Sequence, residues 1–170
     1  MWPFRRSQPK FPSRVTFLRQ FQENRWPAIA EIASWFENYR HEDWSGAGTG
    51  FLRLYGAEGT EGREFYKERI DVGLDIFHDA VLGFAIRWTK TGGGHSEAWV
   101  SKGNDELLGQ WVEYGCDCTM SKALYVEPSR AWLALREFLE TNGGRPSAIL
   151  GYDQDHLPRE LLSDDDPHET

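Results

Sequence analysis

The chain has 170 residues and a formal net charge of −8, because 27 Asp and Glu outnumber 19 Lys and Arg. This length is enough for a single domain with its own core. An aromatic share of 14% excludes a wholly disordered chain. Negative charge repels nucleic-acid phosphates, and no apolar run approaches the roughly 20 residues of a membrane helix. We therefore expect binding neither to nucleic acid nor to a membrane.

Charge is unevenly distributed along the sequence. Residues 1–25 carry six basic side chains and one acidic side chain, a net +5, whereas 153–170 carry one basic and seven acidic side chains, a net −6. Three prolines lie among the basic residues near the N-terminus, and no apolar stretch follows them as a secretory signal would require. We predict a basic extended arm over 1–14, one domain over 15–152 and an acidic, disordered tail over 153–170.

The first predicted helix covers 27–39, where apolar residues recur every three or four positions from Ile29 to Phe36. A glycine-rich run at 46–50 then ends the helix and leads into a strand over 51–55. A phosphate-binding loop normally follows a strand and opens a helix, which is the reverse of this order. A plain connecting loop is therefore the favoured interpretation.

The next part of the chain is predicted to form successive antiparallel strands. Partial alternation extends from Tyr66 to Leu74, and β-branched and aromatic residues fill 81–89. The glycines in 91–94 are typical of a hairpin turn into a strand over 95–100. A meander is the simplest topology for such a series.

The C-terminal half contains the clearest helix. Residues 104–114 have helical spacing and are predicted to form a short helix, followed by a strand over 119–126. Pro128 then suits the first position of an amphipathic helix that glycines at 143 and 144 end, before a last strand over 147–150. The predicted fold class is α+β: an antiparallel sheet of about five or six strands packed by an N-terminal and a C-terminal helix.

The two cysteines, Cys116 and Cys118, are too close in sequence to connect distant parts of a fold. They indicate a reducing, cytosolic compartment. Together with His78 and His95 they could ligate zinc, but a structural zinc site usually takes four ligands and no second cysteine pair exists. We predict no metal and no cofactor, and a nucleophilic cysteine is a less favoured alternative.

Two pairs of carboxylates could perform acid–base chemistry if one member of a pair were buried. These are Glu64 with Glu68 and Asp71 with Asp75. A solvated strand edge explains them equally well. The sequence has no Gly-x-Ser-x-Gly elbow and no His-Glu-x-x-His motif, so nothing in it requires an enzyme.

The eight tryptophans fall into different settings. Trp44 and Trp111 lie among acidic residues, as expected either for a protein-binding surface or for partial burial under loops. Others lie on apolar faces and are expected in the core: Trp35, Trp88, Trp99 and Trp132.

Residues 123–149 resemble the C-terminal signature of a large family of bacterial immunity proteins, of the "immunity protein one" type. In that family a strand, an "ALREFLETG"-like helix and an "RP" turn into a final strand recur. The corresponding stretches here are Ala123–Pro128, Ala131–Thr141 and Gly144–Ile149. This chain has an extra residue before Gly144, and Leu150-Gly151 stands where the family usually has an acidic residue followed by Trp.

The resemblance implies a bacterial cytoplasmic protein that neutralises a cognate polymorphic toxin, such as a nuclease or a deaminase, by stoichiometric non-covalent binding. It implies no catalytic residues. An acidic body would attract a toxin with a basic surface. Alternatives are an enzyme that reverses the modification made by the toxin, and a housekeeping interaction module. From charge and expected exposure, we predict toxin contacts at Trp44, Trp111, Glu113, Tyr114, Asp117 and Tyr125.

Overall fold

The structure is a computed structural model, and it describes residues 13–18, 21–44, 51–63, 68–114, 118–148, 151–153 and 156. The described strands are β1 (Arg14–Leu18), β2 (Phe21–Glu23), β3 (Phe51–Ala57), β4 (Asp71–Asp79), β5 (Gly83–Gly92), β6 (His95–Ser101), β7 (Trp111–Tyr114), β8 (Cys118–Ser121) and β9 (Gly151–Asp153). The described helices are α1 (Ile29–Ile32), α2 (Ser34–Glu37), α3 (His41–Trp44) and α4 (Pro128–Glu140). None of these helices is long and apolar enough to cross a membrane.

A seven-stranded sheet in the order β2-β1-β3-β4-β5-β6-β9 forms the centre of the fold. Every pairing in it is antiparallel. The α+β class is therefore confirmed, with seven strands instead of five or six. The additional strands include β1 and β2, which the sequence pattern did not reveal because five and three residues are too few to establish alternation.

The N-terminal helix lies where it was predicted, but it is not continuous. Two four-residue helices, α1 and α2, take its place. The amide of Phe36 donates to the carbonyl of Ala33, three residues back, so the hydrogen bonding tightens at the junction. Glu31 accepts from the amide of Ala28 at 2.6 Å and thereby caps α1.

The predicted helix over 104–114 is wrong beyond its first turn. A 3-10 helix covers Asp105–Leu107, and Gly109 then adopts a φ of 75°, which ends the turn before β7 begins. The strand predicted over 119–126 stops at Ser121, because its hydroxyl accepts from the amide of Ala123 and begins a second 3-10 helix. Of the last predicted strand, Ser147 and Ala148 form a turn and residues 149–150 lie outside the described residues; β9 follows at Gly151–Asp153.

All four helices contribute to one core on one face of the sheet, which we call the inner face. From α4, the fully buried side chains are those of Ala131, Ala134, Leu135 and Phe138. Trp88 lies in this core, and its indole donates to the carbonyl of Gly143 just after α4 at 3.0 Å. The core placement of the other three predicted tryptophans is also confirmed, since they pack partly buried against it: Trp35, Trp99 and Trp132.

Candidate functional site

Trp44 is a core residue, so the expectation that it is exposed is wrong. Its side chain is 1% exposed, and its ring contacts Phe36 and Phe84 at centroid distances of 5.1 and 4.8 Å. The acidic neighbours wrongly indicated that Trp44 is exposed, because Glu42, two positions away in α3, points to a different side of the helix. The local sequence was polar, but the helix turns Trp44 inward.

Tyr125 is also buried, with 6% of its surface exposed, and its expected exposure is likewise wrong. It follows the second 3-10 helix, where the backbone lies tightly against Gly103. A side chain at Gly103 would lie 1.9 Å from the carbonyl oxygen of Tyr125, and the amide of Gly103 donates to Ala123. This close packing fixes the backbone at Tyr125.

The structure brings together Trp111, Glu113 and Tyr114 on β7, which pairs with β8 as a two-stranded hairpin separate from the central sheet. Alternation places Trp111 and Glu113 on one side of this hairpin. Glu113 is exposed and Trp111 is partly exposed. Asp117 lies outside the described residues, as does Cys116. The hairpin is thus a candidate contact surface that includes half of the predicted residues.

The two carboxylates of β4 are buried and paired with cations, so a solvated edge does not describe them. Asp71 accepts from Nε of Arg69 at 2.7 Å, and both side chains are less than 10% exposed. Asp75 pairs with Arg53. Glu68 is exposed, and Glu64 lies outside the described residues. Within the described ranges, no group of three or more His, Cys, Asp or Glu side chains is arranged to hold a metal ion.

A different site stands out on the sheet face opposite the helices, which we call the outer face. Because side chains alternate along a strand, the residues between the buried core positions point there. Seven of them line a concavity of about 290 Å³. We call it the Arg87 pocket, and its lining residues are Phe17, Arg53, Tyr55, Gly73, Asp75, Arg87 and Thr89.

The charged residues of the Arg87 pocket lie side by side on adjacent strands. Arg53 of β3 pairs in register with Asp75 of β4, and Asp75 in turn with Arg87 of β5. Arg53 donates to both carboxylate oxygens, from Nε at 2.6 Å and from Nη2 at 3.1 Å. The Nε of Arg87 is buried and has no hydrogen-bond partner among the described residues. The Arg53 guanidinium is therefore hydrogen-bonded to Asp75, whereas the Arg87 guanidinium has a buried donor without an acceptor among the described residues.

The shape of this pocket depends on Gly73. A Cβ at this position would lie 2.8 Å from Oγ1 of Thr89 and 3.3 Å from a ring carbon of Tyr55. The missing side chain therefore lets these two neighbours approach each other over the strand. Burial, and next the charge of Asp71, raise the pKa of Tyr55, so its phenol is neutral at physiological pH.

A second concavity of about 240 Å³ lies between β1 and α1. Its apolar wall includes Leu18, Ile32 and Trp35. At its rim Arg25 donates two hydrogen bonds to Glu31, at 2.6 and 2.8 Å. The Arg25 hydrogen bond, helped by the amide of Ala28, lowers the pKa of Glu31 to about 2.

Sequence reasoning singled out neither arginine of the Arg87 pocket. A signal was present, because Arg53, Asp75 and Arg87 each interrupt a strand whose neighbouring positions are apolar. In a sheet with one buried face, such charges mark the opposite face. What sequence does not reveal is that strand register aligns the three.

Comparisons of this chain with protein-family models, curated proteins and solved structures found no match.

Proposed function

We propose that this chain is an immunity protein that binds a cognate bacterial toxin, such as a nuclease or a deaminase, and neutralises it by one-to-one non-covalent inhibition. The observation that carries this proposal is the resemblance of residues 123–149 to the immunity-protein signature. The proposed setting is the bacterial cytoplasm, where the protein protects its own cell.

The signature residues have clear structural roles, which is consistent with a signature that specifies a fold. Leu135 and Phe138 are fully buried, and Trp132 stacks on Phe36 at a centroid distance of 5.7 Å. The carboxylate of Glu137 accepts from the amide of Ser147 at 2.8 Å, so the helix is tied to the segment after the "RP" turn. Toxin recognition is therefore expected on other surfaces.

The outer face offers a suitable surface for a protein partner. Its aromatic side chains are only partly buried, and none belongs to the core formed by the helices: Phe17, Phe51, Tyr55 and Phe77. Aromatic residues and arginine are the types most enriched in interface hot spots. The β7–β8 hairpin, with Trp111 and Glu113, is a second candidate contact.

Charge supports the same proposal. Residues 26–152, which exclude the basic N-terminal 25 residues and the acidic tail, still carry a net charge of −7. Toxins that act on nucleic acids need basic clefts, and opposite charge speeds encounter to about 10⁸ M⁻¹s⁻¹ or more at low salt. A protein that must inhibit a toxin before damage occurs benefits from fast association.

The test is co-expression with the product of the adjacent open reading frame. We expect rescue of growth, a complex that co-purifies, and protection that saturates near one immunity protein per toxin. Protection at substoichiometric dose without a complex would instead support an enzyme that reverses the toxin's modification. Absence of both rescue and complex would contradict the proposal and favour a housekeeping interaction module.

A further inference from the structure

We infer that the Arg87 pocket binds a carboxylate, supplied by an Asp or Glu side chain of the partner toxin. This inference rests on the proposed function and deepens it, because it assigns a place on the immunity protein to one specific contact. Arg87 would then anchor an acidic side chain of the toxin. The overall attraction in the complex runs the other way, between an acidic immunity protein and a basic toxin.

Arg87 has a buried donor without an acceptor in the described part of the chain. Its Nε is shielded from solvent and makes no hydrogen bond within the described part of the chain. Buried donors in native proteins almost always have an acceptor, and an unsatisfied one indicates a missing water, ion or ligand. Asp75, the adjacent carboxylate, already receives two hydrogen bonds from Arg53. Arg87 as a whole is only partly buried, so a side-chain rotation would let an acceptor from outside the chain satisfy this donor.

The charge of the Arg87 pocket also favours a carboxylate. Its lining contains two arginines and one aspartate, a net +1. A carboxylate carries one negative charge and neutralises this site. A phosphomonoester carries about −1.5 to −2 at pH 7, which would leave excess negative charge beside Asp75. A nucleic-acid backbone would in addition be repelled by the net charge of −8.

The size and rigidity of the Arg87 pocket suit a single side chain. The volume of about 290 Å³ lies at the lower limit for small-molecule pockets, which suits one inserted side chain better than a whole metabolite. Arg87 projects from β5, which is hydrogen-bonded to β4 and β6 on its two sides. Phe17 and Tyr55 supply apolar wall beside the guanidinium, and low-polarity surroundings strengthen a guanidinium–carboxylate contact.

The primary experiment measures the Kd of the purified toxin complex by calorimetry for the wild type and three variants. Arg87→Met, which removes the charge and the donors, is expected to raise Kd about 30-fold or more. Arg87→Lys keeps the charge but loses the planar fork, so we expect it to recover only part of the affinity. The matched control is Arg136→Met on the exposed side of α4, with unchanged affinity.

Thermal unfolding separates binding from folding. Because Arg87→Met removes an unsatisfied buried donor, we expect an unchanged or higher Tm together with weaker binding. A wild-type complex whose Kd is insensitive to Arg87→Met would overturn this inference and leave the proposed function standing. The inference is also overturned if Arg87→Met lowers both the affinity and the Tm, and Arg87→Lys restores both values.

A second measurement needs no toxin and uses acetate as the probe. The ¹H–¹⁵N signal of the Arg87 Nε group, assigned by its loss in Arg87→Met, should shift saturably with acetate and not with sodium chloride. The corresponding signal of Arg136 should behave alike in both salts. No saturable shift, or a larger shift with inorganic phosphate at equal ionic strength, would overturn the carboxylate assignment. If the acetate-induced shift saturates but the wild-type protein binds no toxin, the proposed function is wrong. The assignment of the carboxylate to a toxin side chain is then wrong as well.

Discussion

Arg53 and Asp75 form a two-point ion pair across β3 and β4, with donor–acceptor distances of 2.6 and 3.1 Å. The Asp75 side chain is 9% exposed, whereas that of Arg53 is 45% exposed. A partly exposed guanidinium thus pairs with a nearly buried carboxylate. On the other flank of Asp75, strand register places Arg87.

This arrangement predicts a non-additive response to removal of the two arginines. In Arg53→Met, Arg87 is close enough to replace the lost partner of Asp75 after a side-chain rotation, so the loss in free energy of unfolding should be modest. In the double variant Arg53→Met/Arg87→Met, Asp75 is left buried without a cation. We expect an additional loss of about 1 kcal/mol beyond the sum of the single variants, measured by urea unfolding. Strict additivity would show that Arg87 does not interact with Asp75.

Gly73→Ala tests the floor of the Arg87 pocket. The new Cβ would meet Thr89 and Tyr55, and displacing them should cost about 1–3 kcal/mol in the free energy of unfolding. The closest contact is Oγ1 of Thr89, at 2.8 Å. The second-site variant Gly73→Ala/Thr89→Ala should therefore recover much of the stability. If it recovers none, the strain lies elsewhere in the strand.

Replacement of Trp44 should affect folding, not recognition. Trp44→Ala removes a fully buried aromatic ring and is expected to lower the free energy of unfolding by about 3–5 kcal/mol. The comparison is Trp111→Ala on the β7–β8 hairpin, where we expect a loss of about 1 kcal/mol or less, with weaker toxin binding. If the Trp44→Ala protein is stable but fails to bind toxin, the prediction is wrong and Trp44 takes part in recognition.

The lowered pKa of Glu31 predicts a specific dependence of stability on pH. Its pKa is about 2 in the folded protein, below the ordinary value of 4.5, mainly because Arg25 hydrogen-bonds to the charged form. A lowered pKa contributes stability above about pH 4.5 that is lost as the pH falls towards 2. Glu31→Gln should therefore lower Tm at pH 6 and have less effect near pH 2. A Tm difference that stays constant across this range would contradict the assignment.

The parts of the fold that could be predicted from sequence are those with local signals. The apolar stripe of α4 and the glycine turn between β5 and β6 were sufficient to place these elements. Strand β7 was mistaken for part of a helix, because Trp111 and Val112 continue the helical spacing of Leu107 and Leu108 and also suit a short strand after a tight turn. Distinguishing the two needs the pairing partner, which is tertiary information.

The candidate site was less accessible to sequence reasoning. Trp44 was chosen because its neighbours are acidic and Tyr125 because it was expected to be exposed, but burial is decided by which side of an element faces the core. Conversely, Arg53 and Arg87 are 34 positions apart, and only the register of three strands makes them neighbours of the same aspartate. Strand topology, which a single sequence does not reveal, decides that these charges lie together.

The sheet ends on strands of only three residues, β2 at one side and β9 at the other. An edge strand exposes unpaired amides and carbonyls that can template aggregation with another chain, and short edges limit this. On β6, the stretch that β9 does not cover carries His95 and Glu97, both exposed. Charged edges oppose the stacking of identical molecules. We therefore expect the protein to tolerate a high standing concentration in the cell, which suits an inhibitor that must be present before its target arrives.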